Sequence, residues 1–326
     1  RGFAQWQDHV GVVAHENLLV SDEPEEGGLG LRARAPISAG EVLITVPRGA
    51  ALVSADLGYE HAAALSPVHR LALHLAIRAT SSARGTPSDF FATAHGSISP
   101  WVATWPEGEQ GHWGLSPAQL EASSWNMELH ALIDQQREGA STAYTLISEG
   151  WSAGANATRA HAAEPPSWES FVWALSHVGA RAASVDMSGE RQPAVLPFVD
   201  FLNHQPHGLA NAALSFEPGW LNAACPGATS SSGDAGVATA APGPTSTDAF
   251  IVRATADVRA GEELYLCYGQ KDNAELIAAY GFALDPNPHD RLLLYVPLTA
   301  EGDPLAMQRL AMLPRGLAAT PPPPRR

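Results

Sequence analysis

The sequence predicts an α+β protein made of several small β-sheets interrupted by a large helical insertion. Three observations lead there. A hydrophobic residue, a turn ending in Ala-Gly-Glu and an apolar strand occur twice, as PISAGEVLITV from Pro36 and as DVRAGEELYL from Asp257. Between these echoes the chain carries helix-start signals at Ser66-Pro67, Ser116 and Ser167. Finally, no βαβ alternation opens on a glycine-rich first loop, which excludes a Rossmann-type fold.

Phe3 to Val10 reads as a short helix, and Leu29 to Arg34 and Glu41 to Val46 as strands. The turn Ser38-Ala39-Gly40 joins the two strands, with glycine supplying positive φ. The apolar alternation after each Ala-Gly-Glu suits a half-buried strand. Ser66-Pro67 pairs a cap with proline at the first helical position, and Leu71, Leu75 and Ile77 supply the apolar face. Ser116-Pro117-Ala118-Gln119 is a capping box that opens a helical region reaching about Ile147. Ser167 caps a helix with Phe171, Leu175 and Val178 on one stripe. Period two puts Leu264, Leu266 and Tyr268 on one strand face, with Tyr265 and Cys267 on the other. Asp272 and Glu275 form a second capping box, and Gly281 ends that helix. Cys225 to Asp248 is too poor in apolar residues to order itself and reads as a disordered surface loop. Pro321 to Pro324 begins a tail.

Of the 326 residues, 45% are hydrophobic and 16% charged, an ordinary globular balance. A net charge of -15 argues against phosphate-driven nucleic-acid binding and points to a basic partner. Cys225 and Cys267 cannot form a disulfide framework or a four-thiolate zinc site. The histidines, His204 and His207 included, show no metal-ligand spacing with other donors, so no catalytic metal is expected. No Gly-x-Ser-x-Gly elbow suggests a serine hydrolase. No apolar run approaches the roughly 20 residues that span a bilayer. The sequence starts at Arg1, so a targeting peptide could have been removed or omitted, and no compartment is indicated. Lys271 is the only lysine.

Two segments carry candidate chemistry. PFVDFLNH, Pro197 to His204, is an apolar run ending in polar groups, which must find partners if buried. ELYLCYGQKDNAELIAAYGF, Glu263 to Phe282, delivers Tyr268-Gly269 ahead of a capped helix. A Gly28-Leu29-Gly30-Leu31 turn lies upstream, without the third glycine of a dinucleotide fingerprint. In this order the three segments resemble SET-domain protein methyltransferases, within them the Rubisco large-subunit methyltransferase-like subgroup. The similarity runs over about Phe3 to Leu298.

The resemblance implies a SET fold with a knot-like C-terminal segment and S-adenosyl-L-methionine as cofactor. It implies that Tyr268 is catalytic and that Asp200, Phe201, Leu202, Asn203 and His204 line the cofactor. Gly28, Leu29 and Gly30 would let the backbone approach it, although Gly27 stands where the family usually has Glu, with Glu26 displaced by one. Arg181 would hold the cofactor carboxylate, for which a planar fork is suited, or shape the target channel. Tyr280 and Phe282 would help enclose the cofactor or target side chain. The implied organisation is an N-terminal SET portion (1–65), a helical insertion (66–180) and a C-terminal SET portion (181–285) with a loop at about 225–248. Residues 286–326 would be the remnant of a truncated C-terminal helical substrate-binding region, with Asp303 to Leu317 as its first helix. The implied activity is methyl transfer to lysine in a protein substrate by a monomer, in chloroplast stroma, cytoplasm or nucleus. Histidine methylation by the same fold and a non-catalytic SET-fold binding module stay open.

Overall fold

A computed structural model describes residues 2–23, 28–54, 64–83, 92–93, 96–97, 99–123, 126–152, 165–221, 247–291 and 305. Residues up to His289 form one compact unit, and Asp290–Arg326 form a second. The expected loop after Cys225, the helix from Asp303 and the proline tail fall outside the described residues, apart from a few positions.

In chain order the first unit begins with helix α1 (Gly2–His9) and strands β1 (Val13–Ala14), β2 (Leu18–Glu23), β3 (Gly28–Ala33), β4 (Val42–Pro47) and β5 (Leu52–Val53). Next come α2 (Pro67–Ala83), the short pair β6 (Ala92–Thr93) and β7 (Gly96–Ser97), and α3 (Ser99–Val102). Helices α4 (Pro117–Ala122), α5 (Met127–Ser152) and α6 (Trp168–Arg181) lead to β8 (Ala183–Met187) and β9 (Glu190–Val195). The last part holds β10 (Asn203–His204), β11 (Ala212–Glu217), β12 (Ala249–Ala254), β13 (Glu263–Leu266) and α7 (Asn273–Tyr280).

The strands form four small sheets among the described residues, ordered β1-β4-β12-β11, β10-β13-β3-β2, β5-β9-β8 and β6-β7. The two sequence echoes face each other. Ile37 and Val258 exchange backbone hydrogen bonds at 2.9 and 2.8 Å. The Gly40 amide donates to the Ala254 carbonyl at 2.8 Å, and the Gly261 amide to the Ala33 carbonyl at 2.7 Å. In each turn the glutamate after glycine closes the loop, Glu41 on the Ser38 amide and Glu262 on the Arg259 amide. Both glycines have positive φ, 89° and 86°, as the turn requires. This reciprocal pairing ties the first sheet to the second. It also lets β13, from late in the chain, slot between β3 and β10.

The expected alternation in Glu41 to Val46 is replaced by burial on both faces: Leu43, Ile44, Thr45 and Val46 are all buried. The strand is interior to its sheet, between β1 and β12, and other layers cover both sides. The helix expected from Ser116 to Ile147 is two helices. The Ser116–Gln119 box opens α4 as anticipated, but Ser123 ends it. Asn126 then starts α5, its side-chain oxygen accepting the Leu129 amide at 3.0 Å. Ser167 accepts the Ser170 amide, and Asp272 and Glu275 form a reciprocal box with Gly281 left-handed at the end. Helix α2 packs along α6 with Leu71, Leu75, Phe171 and Val178 buried between layers, and α7 rests on α5 and α6.

Candidate active site

The Tyr268 segment leaves β13 and turns at Gly269, whose φ of 117° suits glycine alone. The strand ends at Leu266, so Tyr268 does not continue its face as period two implied. Instead Leu266, Cys267, Tyr268 and Gly269 all line one cavity of about 680 Å³. What fixes Tyr268 is β10, which pairs in parallel with β13, Asn203 opposite Tyr265 and His204 opposite Leu266. The Tyr268 amide donates to His204 Nδ1 at 3.0 Å, and its hydroxyl donates to the Leu202 carbonyl at 2.5 Å. The amide is always a donor, so Nδ1 accepts from it, and the Leu266 carbonyl lies 3.3 Å from the same atom. Burial lowers the His204 pKa, in keeping with a neutral ring. Tyr268 and His204 rings stack at 5.0 Å, Tyr280 lies 5.0 Å from Tyr268, and Phe282 lies 6.3 Å from His204.

Burial, then the charges of Tyr280 and Asp200, push the Tyr268 pKa up, and burial pushes Tyr280 to about 12. Both phenols are therefore neutral hydroxyls near pH 7, and Tyr268 cannot serve as a phenolate base there.

Asp200 sits on a tight turn, Val199–Phe201, entered through Phe198 at φ 69°. A buried non-glycine residue in that region is strained, and Asp200, two residues on, is among the residues that line the cavity. Its Oδ2 accepts hydrogen bonds from the indoles of Trp101 and Trp105, both at 2.9 Å. Its Oδ1 is buried with no partner among the described residues. Burial raises the Asp200 pKa, against the indole hydrogen bonds and the charge of Arg181. Arg181 ends α6 and lines the cavity, its guanidinium 5.0 Å over the Trp105 ring. It is no solvent-facing helix-end arginine: burial pulls its pKa down while Asp200 and Tyr268 oppose that.

A second cluster lies around Gly30. The sequence suggested a turn at Gly28–Leu31; the residues are instead strand β3, paired with β2 on one side and β13 on the other. Glycine is required for closeness, since a Cβ at Gly30 would lie 2.7 Å from Glu263 Oε1 and 3.0 Å from Asn203 Nδ2. The Asn203 amide group donates to Glu263 at 2.8 Å and to the Leu29 carbonyl at 3.3 Å, leaving its Oδ1 without a hydrogen bond among the described residues. The position of Glu26 lies outside the described residues; Glu263 is the carboxylate that meets Gly30 and Asn203.

The structure thus brings Arg181, Asp200, Tyr268 and Tyr280 to one cavity. His204 and Leu202 hold Tyr268 from behind, and Asn203 reaches back to Leu29 beside Gly28 and Gly30. Phe282 touches the edge of this aromatic group. Phe201 is set apart: its ring packs with Phe3 and Phe198 in the core. Sequence reading missed Trp101, Trp105 and Glu263 as site residues. The tryptophans stand in the unremarkable run SPWVATW, and only the fold carries them to Asp200. No group of three metal-binding side chains occurs among the described residues. No helix among them is long and apolar enough to cross a membrane.

Comparisons with known proteins agree with this architecture. The family model for the SET domain matches residues 28–269, more than half of the chain. The SET domain-containing protein 4 of Homo sapiens is 28% identical over 147 residues, 41% of this chain and 27% of that protein. The actin-histidine N-methyltransferase of Homo sapiens is 24% identical over 312 residues, 90% of this chain and 44% of that protein. The chain therefore spans less than half the length of these curated relatives. The crystal structure of the SET domain of LSMT bound to lysine and AdoHcy superposes with a TM-score of 0.67 at 19% identity, covering 94% of this chain and 61% of that one. Rubisco LSMT bound to sinefungin and monomethyllysine gives 0.63 at 19% identity, covering 95% and 62%. With its small sheets, its parallel β10–β13 pair and this family match, the chain belongs to the SET domain family.

Proposed function

We propose that the chain is a protein N-methyltransferase that uses S-adenosyl-L-methionine and acts on a lysine side chain. The observation that carries this reading is a neutral Tyr268 hydroxyl, fixed by His204 and Leu202 at the wall of a cavity that Arg181 and Asp200 also line. The residues present suit the cofactor's chemistry. Arg181 offers a planar cation for a carboxylate, and Asn203 Oδ1, without a hydrogen bond among the described residues, offers an acceptor for an amino group. Gly30 lets Asn203 and Glu263 pack close against the β3 backbone, and Phe282 gives an aromatic edge.

When bound, the cofactor supplies a sulfonium methyl open to in-line displacement. The protein's part is positional, and holding two reactants in line supplies about 7–11 kcal/mol in favourable cases. The phenol already donates its proton to Leu202, so its oxygen lone pairs stay available to receive an N–H of the target nitrogen. That nitrogen must be neutral to attack. Partial burial in the cavity disfavours the ammonium form and promotes loss of its proton to solvent. The Leu202 carbonyl, held by the same hydrogen bond, keeps the phenol from turning out of line.

Lysine is supported by the LSMT structures, bound to lysine or monomethyllysine, that share this fold. A histidine target is a second reading, favoured by the actin-histidine N-methyltransferase match across 90% of this chain. Incubation with methyl-labelled cofactor and paired peptides containing lysine or histidine tests both. Label on the lysine peptide, lost in Tyr268→Phe, supports the first reading, and label on the histidine peptide supports the second. Label on neither, with S-adenosylhomocysteine still bound, would support a non-catalytic binding module. We further propose that the partner is protein rather than nucleic acid or membrane, and that the chain works as a monomer.

A further inference from the structure

We infer that the segment presenting the target nitrogen is acidic, and that Arg191 and Lys271 recognise its carboxylates at the cavity rim. This rests on the methyltransferase reading for the identity of the cavity, and it reverses the expectation drawn from net charge. The chain carries -15 overall, yet its cavity is lined by Arg181, Arg191 and Lys271, with His207, against a single carboxylate, Asp200. Arg181 is engaged inside, over Trp105 and beside Asp200. The other two cations are not. Among the described residues neither Arg191 nor Lys271 makes an ion pair.

Their placement is specific. Arg191 is exposed on β9, directly opposite Asp186 on β8. That aspartate's Oδ1 accepts the Gly189 amide at 2.8 Å, and it forms no ion pair with Arg191 among the described residues. Lys271, the only lysine in the chain, is half-buried and folds back over Gly269, where an added Cβ would lie 3.9 Å from its Cε. It stands three residues after Tyr268. The turn at His207 to Ala210 lines the same cavity through His207, Gly208 and Ala210, and its Leu209 is 68% exposed.

Distance decides which charge a peptide feels. At physiological ionic strength charges are screened beyond about 8 Å, so acids elsewhere on the surface contribute little inside the cavity mouth. The unpaired rim cations set the local potential, and a concave, low-dielectric wall concentrates it. A basic segment would meet uncompensated like charge there. A segment with Asp or Glu on either side of the target would meet complementary charge.

The test is fluorescence anisotropy with three labelled peptides, each with one central lysine flanked by Asp/Glu, Arg or Ser/Gly, in the presence of S-adenosylhomocysteine. The acidic peptide is expected to bind about fivefold or more tighter than the basic one at low salt, with the gap closing as salt rises. Arg191→Glu should narrow that gap, and Arg191→Glu with Lys271→Glu should invert it, each variant being checked for an unchanged melting temperature. If the double variant melts early, Arg191→Glu alone decides. Equal or tighter binding of the basic peptide, binding of none, or an acidic preference that Arg191→Glu leaves intact would overturn the inference. Because the readout is binding, an acidic preference without methyl transfer would leave this recognition standing and instead count against the methyltransferase reading.

Discussion

His204 Nδ1 accepts the amide proton of Tyr268 at 3.0 Å while the two rings stack 5.0 Å apart, although 64 residues separate them in the chain. One imidazole therefore fixes both the backbone and the ring plane of a residue that lines the cavity. Protonating Nδ1 would abolish this contact, and burial already disfavours the charged ring. His204→Phe keeps a stacking ring but leaves the Tyr268 amide without its acceptor. Leaving a partly buried donor unpaired costs about 1–3 kcal/mol, which urea denaturation should register. A variant as stable as wild type would remove this role.

Tyr268→Phe deletes one hydroxyl whose proton now goes to Leu202. If that oxygen orients the target nitrogen, kcat should fall about 100-fold or more, the scale seen when one aligned polar contact is removed from a transition state. S-adenosylhomocysteine affinity should stay within about threefold, since the phenol serves the reacting end and other groups hold the ligand. A fall in affinity with kcat intact would invert the assignment.

Trp105 links two charged groups at once, donating to Asp200 and lying under Arg181. Trp105→Phe keeps the ring and removes the N–H. That hydrogen bond holds the Asp200 pKa down, so losing it should raise the pKa further and move the acid limb of the kcat/KM profile to higher pH. A purely structural role would lower activity evenly at all pH values and leave the limb in place.

Gly30→Ala tests the second cluster. The added methyl meets Glu263 Oε1 and Asn203 Nδ2, the ends of two side chains, so they can move aside at small cost to the fold. Their mutual hydrogen bond would not survive. We expect about tenfold weaker S-adenosylhomocysteine binding with a melting temperature within a few degrees of wild type. Unchanged affinity would separate β3 from the cofactor.

Stability should fall on acidification. His177 lies between Trp105 and Trp173, and burial, reinforced by Arg181, pushes its pKa to about 3. The unfolded chain binds a proton there near pH 6.5, so between about 3 and 6.5 the unfolded state holds more protons and stability rises with pH. His69, His112 and His204 shift in the same direction, while the raised pKa of buried Asp200 acts in the opposite sense. The melting temperature should be level above about pH 7 and drop from pH 6.5 to 5. His177→Phe should flatten the drop; an equally steep drop in that variant would assign it elsewhere.

Local chemistry was easy to read in the sequence. The capping residues Ser116, Ser167 and Asp272, the left-handed Gly281 and the twin Ala-Gly-Glu turns depend on neighbours a few residues away, and the structure has them where expected. What escaped depends on distance. The break at Ser123–Asn126 is set by a cap that a periodic apolar pattern hides. Full burial of β4 reflects what packs on both its faces, and its near-continuous apolar run from Val42 to Val46 fits that better than a half-buried strand. Trp101 and Trp105 become site residues only because the fold carries them across about 100 positions to Asp200. Net charge averages a surface from which the cavity lining, with Arg181, Arg191 and Lys271 beside Asp200, departs.

The most direct test is calorimetric titration of S-adenosylhomocysteine into the wild-type chain, Tyr268→Phe and Asn203→Ala. The account predicts one saturable site per chain, retained in Tyr268→Phe and much weakened in Asn203→Ala. No heat of binding to the wild-type chain, or equal affinity in all three, would contradict it.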